Sequence, residues 1–137
     1  MTAERIECAV SVIRRNGKVL IAQRKRDDRF GGYWEFPGGK KEPEETLEQC
    51  AVREAEEEVG LKIRIERFLM TVQNPYKDSR INLHFFLCST GEQEPVPREC
   101  EDCRWVEPQE LIQYAFPPAN DQVISELLKT ASGRSGI

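Results

Sequence analysis

Residues 44–61 read Glu-Glu-Thr-Leu-Glu-Gln-Cys-Ala-Val-Arg-Glu-Ala-Glu-Glu-Glu-Val-Gly-Leu, and this stretch decides the fold. Positions 44–59 are mostly strong helix formers, and Gly60 stands where a helix commonly ends on a left-handed residue. At 100° per residue, Leu47, Ala51, Ala55 and Val59 make an apolar stripe. Beside it lie Glu54, Glu57 and Glu58, spaced i, i+3 and i+4. Like charges at that spacing repel, and acids near a helix C-terminus oppose its dipole. A solvated acidic face is one reading of this pattern. A divalent cation that cancels both costs is the other, and hard carboxylate oxygens suit magnesium or manganese.

Working outward, residues 5–14 and 18–23 are rich in Ile and Val and flank Asn16-Gly17, a strong hairpin signal. Residues 24–33 carry Arg24, Lys25, Arg26, Asp27, Asp28 and Arg29 ahead of Gly31-Gly32, and read as a charged, mobile loop. Trp34-Glu35-Phe36 is a short strand piece, which Pro37-Gly38-Gly39 is expected to end in a turn. Beyond the helix, strands are expected over 62–73, 81–88 and 104–106, with a turn at Asn74-Pro75. A polar loop fills 89–102. Pro108 opens a brief helix, and Val123, Ile124, Leu127 and Leu128 mark a final one. Residues 132–137 are expected to fray. Interleaved strands and helices after a starting hairpin predict a mixed β-sheet between helices. The class is α/β or α+β, with 1–137 as a single domain.

The composition narrows the function. Twenty Lys and Arg against 24 Asp and Glu give a formal charge of -4. That argues against a general nucleic-acid binder, whose affinity comes from neutralising phosphates. No apolar run is long enough to span a bilayer or to resemble a secretory signal. The five cysteines are Cys8, Cys50, Cys88, Cys100 and Cys103. An odd count fits free thiols in a reducing compartment, so the expected location is cytoplasmic. Cys100-x-x-Cys103 lacks the second ligand pair that a structural zinc site needs.

The spacing chooses between the two readings of the acidic helix. Gly39 is followed after five residues by Glu45, and after seven more by Arg53-Glu54-Ala55-Glu56-Glu57-Glu58-Val59-Gly60-Leu61. This resembles the Nudix box, with every fixed position filled. A chance match is expected less than about once in ten million trials. The resemblance implies an α/β/α sandwich and hydrolysis of a nucleoside diphosphate linked to a further group. It also implies that Glu54, Glu57 and Glu58 bind the metal, usually magnesium, with manganese as a substitute. The Gly38 carbonyl is a further implied ligand. Gly39 would shape the turn, Arg53 would orient the carboxylates, and Glu45 would lock the loop to the helix.

Two more segments are similar to MutT-type members: Trp34-Glu35-Phe36-Pro37-Gly38-Gly39-Lys40 and Phe116-Pro117-Pro118-Ala119-Asn120. These enzymes act on 8-oxo-dGTP, releasing the monophosphate and pyrophosphate. The resemblance gives Glu99 as the general base, with Glu57 as the alternative. It also brings Arg24 and the Phe36 backbone to the nucleotide, and leaves Arg29 facing phosphates or solvent. The family's nucleotide-contacting arginine falls on Ser79, one place before Arg80. Asn120 is the candidate for base specificity, and a helix cap is its other reading. The expected partner is a nucleotide, and the chain is expected to be a monomer or a homodimer. Relatives acting on CTP, dCTP or 5-methyl-dCTP tend to carry an acid at the Asn120 position, and Asp121 stands next door. The reading from a different class is a nucleotide-sensing module without catalysis.

Overall fold

Asn16 and Gly17 form the expected tight turn, both with positive φ, 53° and 78°. They join β1 (Ile6–Arg15) to β2 (Lys18–Gln23). A computed structural model describes residues 5–74 and 80–131. The expectations for Pro75, for Ser79 and for the tail 132–137 lie outside the described residues.

β1 and β2 pair only beside the turn, Arg14 with Val19 and Arg15 with Lys18. They then splay, and the segment that follows the charged loop fills the opening. β3 (Trp34–Glu35) pairs with β2, and β4 (Gly38–Lys40) pairs with β1. The helix α1 (Leu47–Val59) leads on to β5 (Ile63–Gln73) and β6 (Ile81–Thr90). β6 runs parallel to β1 along its other edge, and β5 closes that side antiparallel to β6. β7 (Asp102–Val106) pairs antiparallel with β2. Two 3₁₀ turns, Pro108–Gln113 and Pro118–Asn120, precede α2 (Asp121–Ala131).

Both faces of β1 are covered, so its middle is buried throughout. Ala9 and Ile13, with Leu20, Ala22, Phe86 and Cys88, pack under Cys50, Ala51, Ala55 and Val59 of α1. Val10 and Val12, with Val19, Ile21, Phe85 and Leu87, pack on the opposite face against Leu111, Val123 and Leu127. The expected sandwich of helices about a mixed sheet is what forms.

Two local expectations are corrected. The first helix starts at Leu47 rather than 44, because Thr46 and Gln49 close a reciprocal capping box ahead of it. Gly38 and Gly39 continue as strand instead of turning, and neither has positive φ. The charged loop is bonded at its base: Arg24 N–H donates to the Tyr33 carbonyl at 2.8 Å, and Gly32 N–H returns to the Arg24 carbonyl at 3.2 Å.

Candidate active site

The acidic face of α1 is organised by one guanidinium. Arg53 donates to both oxygens of Glu45, at 2.6 and 2.9 Å, to Glu54 at 2.8 Å and to Glu57 at 3.0 Å. It also donates to the Lys40 carbonyl at 3.2 Å. Glu45 further accepts from the Glu42 N–H at 2.9 Å, so the loop before the helix is fastened to it. The Arg53 bond is the leading reason the Glu45 carboxyl sits well below the usual range, at about 2. Burial pushes the Glu54 carboxyl up against the pull of Arg53, and Glu57 and Glu99 push it the same way. Through these contacts Arg53 joins the loop residue Glu45 to the helix acids Glu54 and Glu57.

Glu58 lies one turn further on, deeper than Glu54 and Glu57. Its carboxylate accepts the Gly38 N–H at 2.8 Å. Burial, with the nearby charges of Glu35, Glu54 and Glu99, pushes its carboxyl up to about 9 against that single bond. The glycines of β4 are there for room. A Cβ on Gly39 would collide with the Glu54 carboxylate, and one on Gly38 with the backbone of Ala9 and Val10. Gly39 therefore lets helix and strand approach, which replaces the expected turn-shaping role. Gly60 ends α1 as expected, with φ 68° and its N–H on the Glu56 carbonyl.

The polar loop before β7 folds over the same helix end. Val96 N–H donates to the Val59 carbonyl at 2.8 Å, and Arg98 and Glu99 N–H both reach the Glu58 carbonyl, at 2.9 and 3.2 Å. These bonds satisfy carbonyls that a helix C-terminus leaves unpaired. They also hold Glu99 within electrostatic reach of Glu54 and Glu58.

On the α2 side of β1 lies a cavity of about 360 Å³, of the size that takes a small ligand. Val10, Leu83, Phe36, Ala119 and the backbone of Gly38 and Gly39 line it, and Arg24, Glu35, Lys40, Asn74 and Asn120 are among its polar groups. The segment carrying Asn120 is docked on β3. Trp34 N–H donates to the Ala115 carbonyl at 2.8 Å, Trp34 meets Tyr114 edge-on, and Phe36 lies on Phe116 with centroids 5.3 Å apart. Asn120 is only 7% exposed. Its amide nitrogen donates to the Pro117 carbonyl at 3.0 Å, which fixes the plane of the amide. Arg24 is held by Glu35 at 2.7 Å and by the Arg29 carbonyl at 2.8 Å.

The structure thus brings Arg24, Phe36, Gly38, Gly39 and Asn120 to one cavity. Arg29 is not among the lining residues; its guanidinium lies over the Phe30 ring. Asp121 is exposed and does not line the cavity. Glu57 is exposed on the helix and held by Arg53. Among the described residues, no three acidic, cysteine or histidine side chains already converge on one metal position. Glu35 and Phe30 are among the lining residues that the sequence did not single out. Glu35 is read as strand filler until its pairing with Arg24 is seen. Phe30 is hidden in a charged loop, and its one signal is an aromatic residue placed directly before Gly31-Gly32. Cys100 and Cys103 are free thiols, both pushed up by burial, Cys100 to about 12.

A model of the NUDIX domain matches residues 5–127, and the chain belongs to that family. It is 36% identical over 125 residues to an 8-oxo-dGTP diphosphatase of Escherichia coli, covering 90% of this chain and 97% of the relative. It is 31% identical over 129 residues to a CTP pyrophosphohydrolase of the same organism, covering 94% and 96%. Among solved structures, a MutT from a study of the Aliivibrio salmonicida and Vibrio cholerae proteins superposes with a TM-score of 0.80 at 30% identity. That match covers 93% of this chain and 99% of the other.

Nudix hydrolases use a divalent metal. The donor set here fits one. Glu54 and Glu58 are both pushed toward the neutral form, chiefly by burial; Glu57 and Glu99 add to this at Glu54, and Glu35, Glu54 and Glu99 at Glu58. A hard divalent cation is the group that would hold such carboxylates ionised.

Proposed function

We propose that this chain is a magnesium-dependent nucleoside triphosphate pyrophosphohydrolase that prefers 8-oxo-dGTP and releases the monophosphate and pyrophosphate. Manganese is the expected substitute metal. One observation carries the reading. Gly38 of β4 both bonds the Glu58 carboxylate and lines the cavity, whose wall also holds the buried Asn120 amide.

Glu54, Glu57 and Glu58, with the Gly38 carbonyl, would hold the metal. Bound there, it would neutralise polyphosphate charge and make a water more acidic. Arg53 positions Glu54 and Glu57, and Glu45 positions Arg53. Arg24 lies in the cavity wall and offers its guanidinium to a phosphate or to the nucleoside. Glu99 takes the proton of the attacking water, with Glu57 as the alternative base. Attack at the β-phosphorus breaks the bond that leads to the monophosphate.

The base preference follows from the Asn120 amide. One of its two N–H groups is used on Pro117. The second can donate to O6 of the base, and Oδ1 can accept from N7–H of 8-oxoguanine. Guanine has no hydrogen on N7, so its lone pair would face the amide oxygen. An unpaired buried contact of this kind costs about 1–3 kcal/mol.

The cytidine reading, hydrolysis of CTP, dCTP or 5-methyl-dCTP, is the second one, supported by the 31% identity to a CTP pyrophosphohydrolase. The exposed position of Asp121, away from the cavity, weighs against an acid reading a cytosine edge. A competitive profile decides. With magnesium present, 8-oxo-dGTP, dGTP, CTP, 5-methyl-dCTP and ADP-ribose are compared at equal concentration. The expected result is fastest loss of 8-oxo-dGTP. Preference for a cytidine nucleotide selects the second reading, and no turnover of any of them selects a binding module.

A further inference from the structure

We propose that Phe30 is a base-contacting residue of this cavity, its ring held there as a stacking wall by a loop that accepts backbone strain to do so. The inference rests on the nucleotide reading above and adds to it a residue to which the sequence alone gives no role.

Among the described residues, two aromatic rings line the cavity, those of Phe30 and Phe36. Phe36 is only 2% exposed and packed on Phe116, so its ring belongs mainly to the core. Phe30 is partly exposed and borders the cavity from the loop between β2 and β3. Tyr33 meets the ring edge-on at 5.4 Å, and the Arg29 guanidinium lies 5.9 Å from its centroid. Arg29 and Tyr33 thus both pack on the ring.

The backbone at Phe30 has φ 60°, in the left-handed region that bulky residues avoid. Such strain persists only where surrounding structure imposes it, and it collects at functional sites. Here the loop imposes it. Tyr33 N–H returns to the Phe30 carbonyl at 3.0 Å, Gln23 holds the Gly32 carbonyl at 3.1 Å, and Arg24 holds the Arg29 carbonyl at 2.8 Å. A Cβ on Gly31 would collide with the Arg26 backbone, so the loop doubles back tightly just after the ring. A glycine at position 30 would make the same turn at lower cost. The chain places its glycines at 31 and 32 and keeps an aromatic residue at the strained position. A planar base offers an aromatic face that such a ring can cover, whatever the base's hydrogen-bonding edge.

The test uses Phe30→Asn, since asparagine tolerates the left-handed region and preserves the turn, alongside Phe30→Tyr. The readouts are kcat and KM on the best triphosphate of the profile, the Kd of the corresponding monophosphate by calorimetry, and Tm. For Phe30→Asn the expected result is a KM and a monophosphate Kd each raised about tenfold, kcat within about twofold, and Tm unchanged or higher. Phe30→Tyr should return both constants to near wild type. Unchanged KM and Kd in Phe30→Asn would overturn the role. So would a fall in kcat and Tm together at constant KM, which assigns the ring to loop folding. Wild-type protein that neither turns over nor binds any nucleotide would instead sink the nucleotide reading, and this inference with it.

Discussion

Glu58 and Gly38 are joined by a 2.8 Å hydrogen bond from strand N–H to helix carboxylate. That contact places the most deeply set acid of α1 against the segment that forms the cavity floor. It also leaves Glu58 with one protein donor in a place that burial makes unfavourable for charge.

Glu58→Gln keeps the shape and a hydrogen-bond acceptor for Gly38, so the metal-free protein should retain its Tm. Its turnover should fall on the order of a hundredfold or more, and the rise in Tm on adding magnesium should disappear. Glu57→Gln should lose turnover similarly with the fold intact. Thermal melts with and without magnesium, run beside a pyrophosphate assay, check both. A normal rate in either variant removes that residue from the metal site.

Asn120→Ala should reduce the ratio of kcat/KM for 8-oxo-dGTP over dGTP by roughly tenfold, the effect of one unmade buried hydrogen bond. The loss should fall mainly on 8-oxo-dGTP. A ratio equal to wild type would leave Asn120 as a support for the turn before α2.

Gly38→Ala and Gly39→Ala should separate stability from activity. The first drives a methyl into the β1 backbone and should cost about 1–3 kcal/mol of stability. The second meets the Glu54 carboxylate, a side chain that can move, so Tm should change little while magnesium-dependent turnover drops. Equal effects on both measurements would contradict this division.

Acid should weaken the protein through Glu45. Its folded pKa, about 2, lies below the ordinary value of 4.5, so its contribution is complete above about pH 4.5. The contribution is lost as pH falls toward 2. Glu45→Gln should lower Tm at pH 7 and show a shallower decline between pH 4.5 and 2. Parallel wild-type and variant curves across that window would exclude Glu45 as a source of the acid sensitivity.

Where the sequence carries its own local chemistry, it is legible. Asn16-Gly17 names its turn, Gly60 names its cap, and the period of Leu47, Ala51, Ala55 and Val59 names the buried face. The acids at 54, 57 and 58 could be placed on one helix face from spacing alone. What was missed depends on contacts distant in the chain. Pro37-Gly38-Gly39 looks like a turn because glycine usually signals one, yet these glycines answer to Ala9 and Glu54. The loop over 91–101 gives no hint that Val96, Arg98 and Glu99 will terminate α1. Phe30 carries little signal in the sequence because strain and cavity lining are properties of the folded backbone.

Arg53 has a consequence for the acids before they meet any ion. Because one permanent positive charge already spans Glu45, Glu54 and Glu57, these carboxylates have a counter-charge within the chain itself. On the proposed reading, loading a divalent metal would be an exchange of counter-charge within a folded protein, and a chelator should reverse it without unfolding.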